Sequence, residues 1–342
     1  MPIYPHPDQP STQDFYYFDL TADPPRWYPA SILTAAHQAS PDEGNSLHLI
    51  TWNIDFQAPG PIERMSAALY HLEELLSRHD KINGPPTVIF FQEMVASDLK
   101  LIQQTPWVQK QFYITDLSGS NWKASYGTST LVDRRLALQR VFRVPYALSR
   151  MQRDGLFADI NIHDSVIRLC NTHLESLASG NAVRPVQLKV ASKFMHGTAR
   201  SSSTGPSGEQ NLLPIPHAAI LAGDLNAFAP QDAITPTECG LQDAFSVLGG
   251  QDGADDSFTW GKQNPDWMAN KFPCGRLDKV LFCGGAEVLG LTKIGEGLKT
   301  TVDTQTSDED NLDLGSGRFA EVWVTDHYGL SADFRILPPG AE

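Results

Sequence analysis

A mixed α/β domain, joining parallel and antiparallel strands, is the fold this sequence predicts, and three observations carry the prediction. Two apolar runs, LHLITWNI at 47–54 and TVIFF at 87–91, are separated by an amphipathic helical pattern, the kind of connection that neighbouring parallel strands require. From Tyr126 the apolar runs become short and closely spaced (GTSTLV, LALQRVFRV, GLFADINIH, VIRLCNTHLES), as in an antiparallel meander. Six times a polar cluster adjoins such a run, at the strand ends where layered α/β proteins place their ligands.

Composition sets the bounds. At 342 residues the chain can bury a sizeable core, and 41% hydrophobic content is that of a globular protein. A net charge of −14 argues against coating nucleic acid or anionic membrane by bulk electrostatics, so an anionic substrate needs a local basic patch or a metal ion. Cys170, Cys239, Cys274 and Cys283 are scattered without C-x-x-C spacing, which points to a reducing compartment and no structural zinc. The opening residues carry no secretory signal pattern, and no run is long enough to span a bilayer. The expected location is nuclear or cytoplasmic, not secreted.

Residues 1–46, rich in Pro, Ser and Asp but studded with Phe15, Tyr16, Tyr17, Trp27 and Tyr28, read as an arm packed on the domain, since pure linkers are poor in aromatics. The run 47–54 is a strand by its β-branched and aromatic content, with Asn53 and Asp55 at its end. Pro61 opens a helix whose apolar stripe is Ile62, Met65, Leu69, Leu72 and Leu76 and which stops near Asn83-Gly84-Pro85-Pro86. The strand 87–91 runs into Gln92 and Glu93, and a glutamate there is costly to desolvate unless something pairs with it. Between Arg134 and Arg153 lie six arginines and no acidic residue, either an anion-facing patch or a solvated strand face.

Val166–Cys170 leads into Asn171, Thr172, His173 and Glu175, and a helix follows from about Val183 with Arg184 and Gln187 on one side. Thr198–Pro214 has the composition of a mobile surface loop. His217–Phe228 (HAAILAGDLNAF) is a buried strand ending on a glycine, Asp224 and Asn226. The spacing of two puts both side chains on one face, although Asp-x-Asn after Gly is also turn chemistry. SFTWG at 257–261 and RLDKVLFC at 276–283 follow, the latter placing Asp278 at a strand start. The stretch 296–313 reads as an acidic solvated loop, and Thr325-Asp326-His327-Tyr328-Gly329-Leu330 leads into the last strand.

In order and spacing, TWNID (51–55), QE (92–93), NTHLES (171–176), GDLN (223–226), RLDKVLF (276–282) and TDHYGL (325–330) resemble the motif set of the endonuclease/exonuclease/phosphatase superfamily, over about residues 47–336. Within it, the TWNID form, THLES followed by Arg-x-x-Gln-Leu at 184–188, and SGRF at 316–319 resemble the tyrosyl-DNA phosphodiesterase 2 enzymes. The resemblance implies a four-layered α/β sandwich: two mixed, mainly antiparallel sheets face to face with helices outside. It would be formed by residues 47–338, with 1–46 as an arm and no separate domain. It further implies Mg²⁺-dependent phosphodiester cleavage, with Mn²⁺ able to substitute, by a monomer acting on a DNA 5′ end that carries a tyrosyl or peptide adduct.

Carried over position by position, Glu93 is the direct metal ligand, with Asn53 and Asp326 nearby through direct or water contacts. Asp224 orients or deprotonates the attacking water, and Asn226 holds that water or a phosphate oxygen. His327 donates to the phosphoryl oxygen, with Asp278 fixing its tautomer and favouring its charged form, and His173 is a second donor. Trp260, Ser176 and Arg184 are expected in the DNA groove, each also explicable as core packing or helix capping. Two departures stand out. Ala227, Phe228 and Ala229 occupy the place where the resembled enzymes carry a basic residue, and no ubiquitin-binding module is visible in the first 46 residues. Against the tyrosyl-DNA expectation stand two others: a superfamily activity on RNA ends, nucleotides or phospholipid head groups, and a non-catalytic DNA- or protein-binding scaffold.

Overall fold

The period-two alternation of strand side chains sorts this chain into layers. In a computed structural model, described over residues 6–32, 44–78, 84–198, 213–264, 271–303 and 318–340, two sheets stack on one another with helices outside both. The first sheet runs β1 (Ser11–Gln13), β8 (Ala137–Pro145), β9 (Asp154–Ile162), β10 (Ser165–Thr172), β11 (Ala218–Asp224), β13 (Asp278–Gly284) and β12 (Gln242–Asp243). The second runs β14 (Ala286–Ile294), β17 (Gly329–Ile336), β4 (Ser46–Asn53), β5 (Thr87–Met94), β7 (Gly127–Asp133), β6 (Phe112–Ile114), β2 (Tyr16–Asp19) and β3 (Arg26–Pro29). Among the described residues only β4/β5 and β10/β11 pair in parallel, and each of those connections carries a helix: α1 (Pro61–Arg78) and α4 (Arg184–Met195).

Leu47 and Leu49 of β4, Val88 and Phe90 of β5, Ile167 and Leu169 of β10, and Ile220 and Ala222 of β11 point inward and form the core between the sheets. Their alternates Ile50, Trp52, Ile89 and Phe91 pack outward on α1, α2 (Ala96–Gln104) and α3 (Pro106–Gln111). On the opposite side Cys170, Ala219 and Leu221 pack under α4. Two shorter helices, α5 (Pro230–Glu238) and α6 (Ala244–Val247), precede β13. Helix, sheet, sheet, helix is the expected four-layered sandwich.

Four expectations need correction or bounding. Ile62 is exposed and takes no part in the helix stripe; the buried face of α1 is Arg64, Met65, Ala68, Leu69 and Leu72. The stretch 296–313 is not all loop: after a turn at 296–298, β15 (Lys299–Asp303) pairs with β16 (Phe319–Trp323), while 304–317 lies outside the described residues. Most of the 198–214 loop and the helix stop at 79–83 also lie outside them. The aromatic arm contributes strands to both sheets, and Tyr17 is buried in the core.

Candidate active site

The inward face that carries Leu47 and Leu49 continues to Thr51 and Asn53; Val88 and Phe90 continue to Gln92; Ile220 and Ala222 continue to Asp224. At one edge of the sandwich the apolar interlayer therefore turns polar without a change of register. Gln92 Nε2 donates to Asn171 Oδ1 at 2.8 Å, and Asn171 Nδ2 donates to the Phe91 and Ser129 carbonyls, stitching the two sheets together just below the site. Gly223 has φ +149, and a Cβ there would lie 1.8 Å from the Thr172 carbonyl oxygen, so only glycine lets β10 and β11 close behind Asp224.

Asp224 is the hub. Its Oδ2 accepts from Asn53 Nδ2 at 3.0 Å and Asn226 Nδ2 at 3.3 Å, and its Oδ1 from the Asn226 backbone N–H at 2.8 Å. His173 Nε2 lies 3.2 Å and His327 Nε2 3.8 Å from the same Oδ2. Burial alone would raise the Asp224 pKa, but the charge of His327, the charge and hydrogen bond of His173 and the bond from Asn226 hold it well below the usual carboxylate range. Asn226 sits at φ 48, Glu93 at φ 58 and Asp55 at φ 57, so three site positions occupy the left-handed region that side chains rarely adopt.

The two histidines are held in opposite states. His327 Nδ1 pairs with Asp278 Oδ2 at 2.8 Å. Burial disfavours its charge, yet Asp278, Asp326 and Asp224 together lift its pKa well above the ordinary value, so it stands as an imidazolium with Nε2–H directed at the hub. His173 Nδ1 instead faces Arg153 Nη1 at 2.9 Å. A guanidinium only donates, so Nδ1 accepts and the proton of the neutral ring sits on Nε2. Burial, reinforced by the Arg153 charge, pushes the His173 pKa down.

Around them stand carboxylates. Glu93 Oε1 lies 3.7 Å from His173 Nε2, and its Oε2 accepts from the Phe56 backbone N–H at 3.1 Å. Burial raises the Glu93 pKa, with further upward pushes from Asp55 and Asp326. Asp55 is itself pushed up to about 6 by burial and then by the charge of Asp326. Trp260 Nε1 donates to Asp326 Oδ2 at 2.7 Å, which places the indole against an expected metal-site carboxylate. Glu93, His173 and Asp224 bring ligand atoms within 4.8 Å of one another, as do Asp224, Asp278 and His327. With His173 Nε2 protonated and Nδ1 taken, that ring is a donor and not a ligand; a cation here would meet oxygens, the donor set that Mg²⁺ prefers.

Asn53, Glu93, His173, Asp224, Asn226, Asp278, Asp326 and His327 thus converge, and Trp260 joins them. Arg184 does not fit its expected place in a DNA groove. It is buried, and its five N–H groups are spent on Asp232, Asn181 and the Glu175 and Leu177 carbonyls, so no donor remains for a phosphate. Ser176 is partly exposed. The arginine-rich stretch is no single anion-facing patch: Arg143 is buried between Asp116 and Asp154, and Arg135 pairs with Asp133. Only Arg153 reaches the centre, with its guanidinium carbon 5.3 Å from the ring centre of Tyr126, which stacks on Phe56 at 3.9 Å. Tyr126, Arg153, His173, Trp122 and Lys123 help to line a shallow, solvent-open cleft beside the hub. Sequence reasoning missed Arg153, Tyr126 and the part played by Asp55; the acidic residue two positions beyond Asn53 was the one available signal.

A model of the Endonuclease/Exonuclease/phosphatase family matches residues 192–327, and that span contains Asp224, Asn226, Asp278, Asp326 and His327 of the constellation just described. Over that segment the chain is similar to the endonuclease/exonuclease/phosphatase family. Among its relatives, human tyrosyl-DNA phosphodiesterase 2 is 23% identical over 327 residues, 94% of this chain and 77% of that protein. The 5′-tyrosyl-DNA phosphodiesterase of Caenorhabditis briggsae is 27% identical over 203 residues, 57% of this chain and 53% of its own. The crystal structure of D. rerio TDP2 complexed with single-strand DNA product has a TM-score of 0.58 at 18% identity, covering 85% of this chain and 99% of that one, and shows a shared fold. No helix among the described residues is long and apolar enough to cross a membrane.

Proposed function

We propose that this protein is a Mg²⁺-dependent phosphodiesterase that hydrolyses the bond between a protein tyrosine and a DNA 5′-phosphate, leaving the phosphate on the DNA. The observation that carries the reading is the pairing of a charged His327 and a neutral His173, both with Nε2 aimed at Asp224, beside a group of carboxylates. The substrate follows from the names of the relatives together with the single-strand DNA product held by the D. rerio enzyme. On this reading residues 47–338 are the catalytic domain with 1–46 as its arm, and the protein works where DNA ends are exposed, the nucleus in a nucleated cell.

The donor set fits a divalent cation. Burial raises the proton affinity of Glu93 and of Asp55, and the charge of Asp326 raises both further, while Arg64 opposes the rise at Asp55. Glu93, Asn53 and Asp326 would hold the ion, which when bound supplies Lewis-acid polarisation of a phosphoryl oxygen. The protein's own groups do the rest. His327 and His173 each offer an Nε2–H toward the phosphoryl oxygens, where charge builds in the transition state. Asp278 keeps the proton on His327 Nδ1, and Arg153 keeps it off His173 Nδ1. Asp224, with its low pKa, is an acceptor that aims the attacking water more than a sink for its proton. Water oxygen bonds to phosphorus and its proton passes by way of Asp224 to solvent, while the bond from phosphorus to the tyrosyl oxygen breaks and the electron pair leaves with the phenolate. A phenol with pKa about 10 departs without a strong general acid.

A panel of 5′-tyrosyl oligonucleotide, abasic duplex, poly(A) RNA and bis-p-nitrophenyl phosphate, with Mg²⁺ and with chelator, tests the reading. Fastest turnover of the tyrosyl substrate is expected, abolished by chelator and by Asp224→Asn. Faster cleavage of another substrate would reassign the specificity, and DNA binding without turnover would make the protein a scaffold.

A further inference from the structure

β10 and β11 lie side by side and in parallel, and each sends a loop past the hub. Four residues beyond His173 stands Leu177, and four residues beyond Asp224 stands Phe228; both are exposed, at 61% and 46%. Both are anchored to one buried group. Arg184 Nη1 donates to the Leu177 carbonyl at 3.1 Å, and the Arg184 guanidinium carbon sits 4.3 Å from the Phe228 ring centre. All five N–H groups of Arg184 are engaged within its plane, which leaves the flat face free to back the ring. The Phe228 backbone N–H also donates to the Asn226 carbonyl at 3.0 Å, tying the ring to the phosphate-facing turn. The result is a rigid aromatic with one side covered by a fixed cation and the other open, on the loop that follows Asp224 and Asn226.

Two side chains are too small a patch for a protein partner, whose footprint is roughly 800 Å² per side. An open aromatic face beside a phosphate site is instead what an unpaired base needs, because every base has a face to stack. With Arg184 spent internally, this rim offers stacking where a free cation would offer a phosphate clamp. We infer that Phe228, flanked by Leu177, is the stacking platform for one of the first bases 3′ of the scissile phosphate. The inference rests on the phosphodiesterase reading above.

The test compares kcat/KM for single-stranded 5′-tyrosyl oligonucleotides in which each of the first three bases is removed in turn. Wild type should lose roughly ten-fold at one position. In Phe228→Ala that preference should vanish, with the ratio of intact to abasic substrate near one, and Phe228→Trp should restore it. Indifference of wild type to every abasic position, or an unchanged ratio in Phe228→Ala, overturns the platform. Thermal unfolding of the variants separates these outcomes from misfolding. If wild type cleaves no tyrosyl substrate, the phosphodiesterase reading is what fails. The platform is then decided by tryptophan fluorescence of Phe228→Trp against wild type, titrated with intact and abasic single strands in chelator: quenching by the intact strand alone supports it, and equal quenching by both sinks it.

Discussion

The two histidines at the hub have the same residue type, similar burial and the same target, yet their second nitrogens face opposite charges: Asp278 for His327, Arg153 for His173. One ring is thereby a fixed cation and the other a fixed neutral donor. The comparison teaches that the charge state of a buried imidazole is decided less by burial, which disfavours the charged form of both, than by the residue at its back. An imidazolium and a neutral ring together offer two N–H donors but only one positive charge. That spares the site the repulsion of two imidazolium ions beside a divalent cation.

Removing the charged partner should cost most. His327→Gln is expected to lower kcat by roughly 10²–10³-fold on a tyrosyl oligonucleotide, the range for losing one donor to a developing oxyanion; a loss below ten-fold would erase the distinction between the two rings. Asp278→Asn comes next, at roughly 10²-fold. Without that anion the His327 pKa falls, so the alkaline limb of the kcat profile should move to lower pH, and an unmoved limb would mean Asp278 does not set the charge. Arg153→Gln should cost roughly ten-fold at pH 8. Losing that cation raises the His173 pKa, so the acid limb should shift to higher pH.

The smallest effect concerns stability. The folded state depresses the His173 pKa, so its contribution is constant above the unfolded value near 6.5 and is lost as pH falls below it, where the unfolded chain takes the proton more readily. Urea midpoints at pH 8 and pH 5 should therefore draw closer together in His173→Gln than in wild type. An equal gap in both would show that the ring tolerates a charge.

How much of this was legible beforehand depends on the kind of signal. Asn53, Glu93, His173, Asp224, Asp278 and His327 stand at or next to the ends of apolar strands, so alternation and a change from apolar to polar marked them. Arg153 gives no such sign. It lies at the end of an irregular turn among five other arginines, and only the pairing of β9 with β10 brings it behind His173. Arg184 misled for the converse reason: a basic residue beside a site suggests an anion, but Asp232, 48 positions away, was waiting for it. The β15/β16 hairpin was hidden because its acidic composition suggested solvent, whereas its two strands pair with each other outside both large sheets.

The aromatic arm also governs how the molecule meets its neighbours. β1 covers β8 at the border of one sheet, and β2 with β3 covers β6 at the border of the other. A shortened protein lacking residues 6–32 would present two bare ladders of unpaired amides and carbonyls. Such a chain should self-associate through them at concentrations where the whole protein stays dispersed, so the arm doubles as a guard against aggregation.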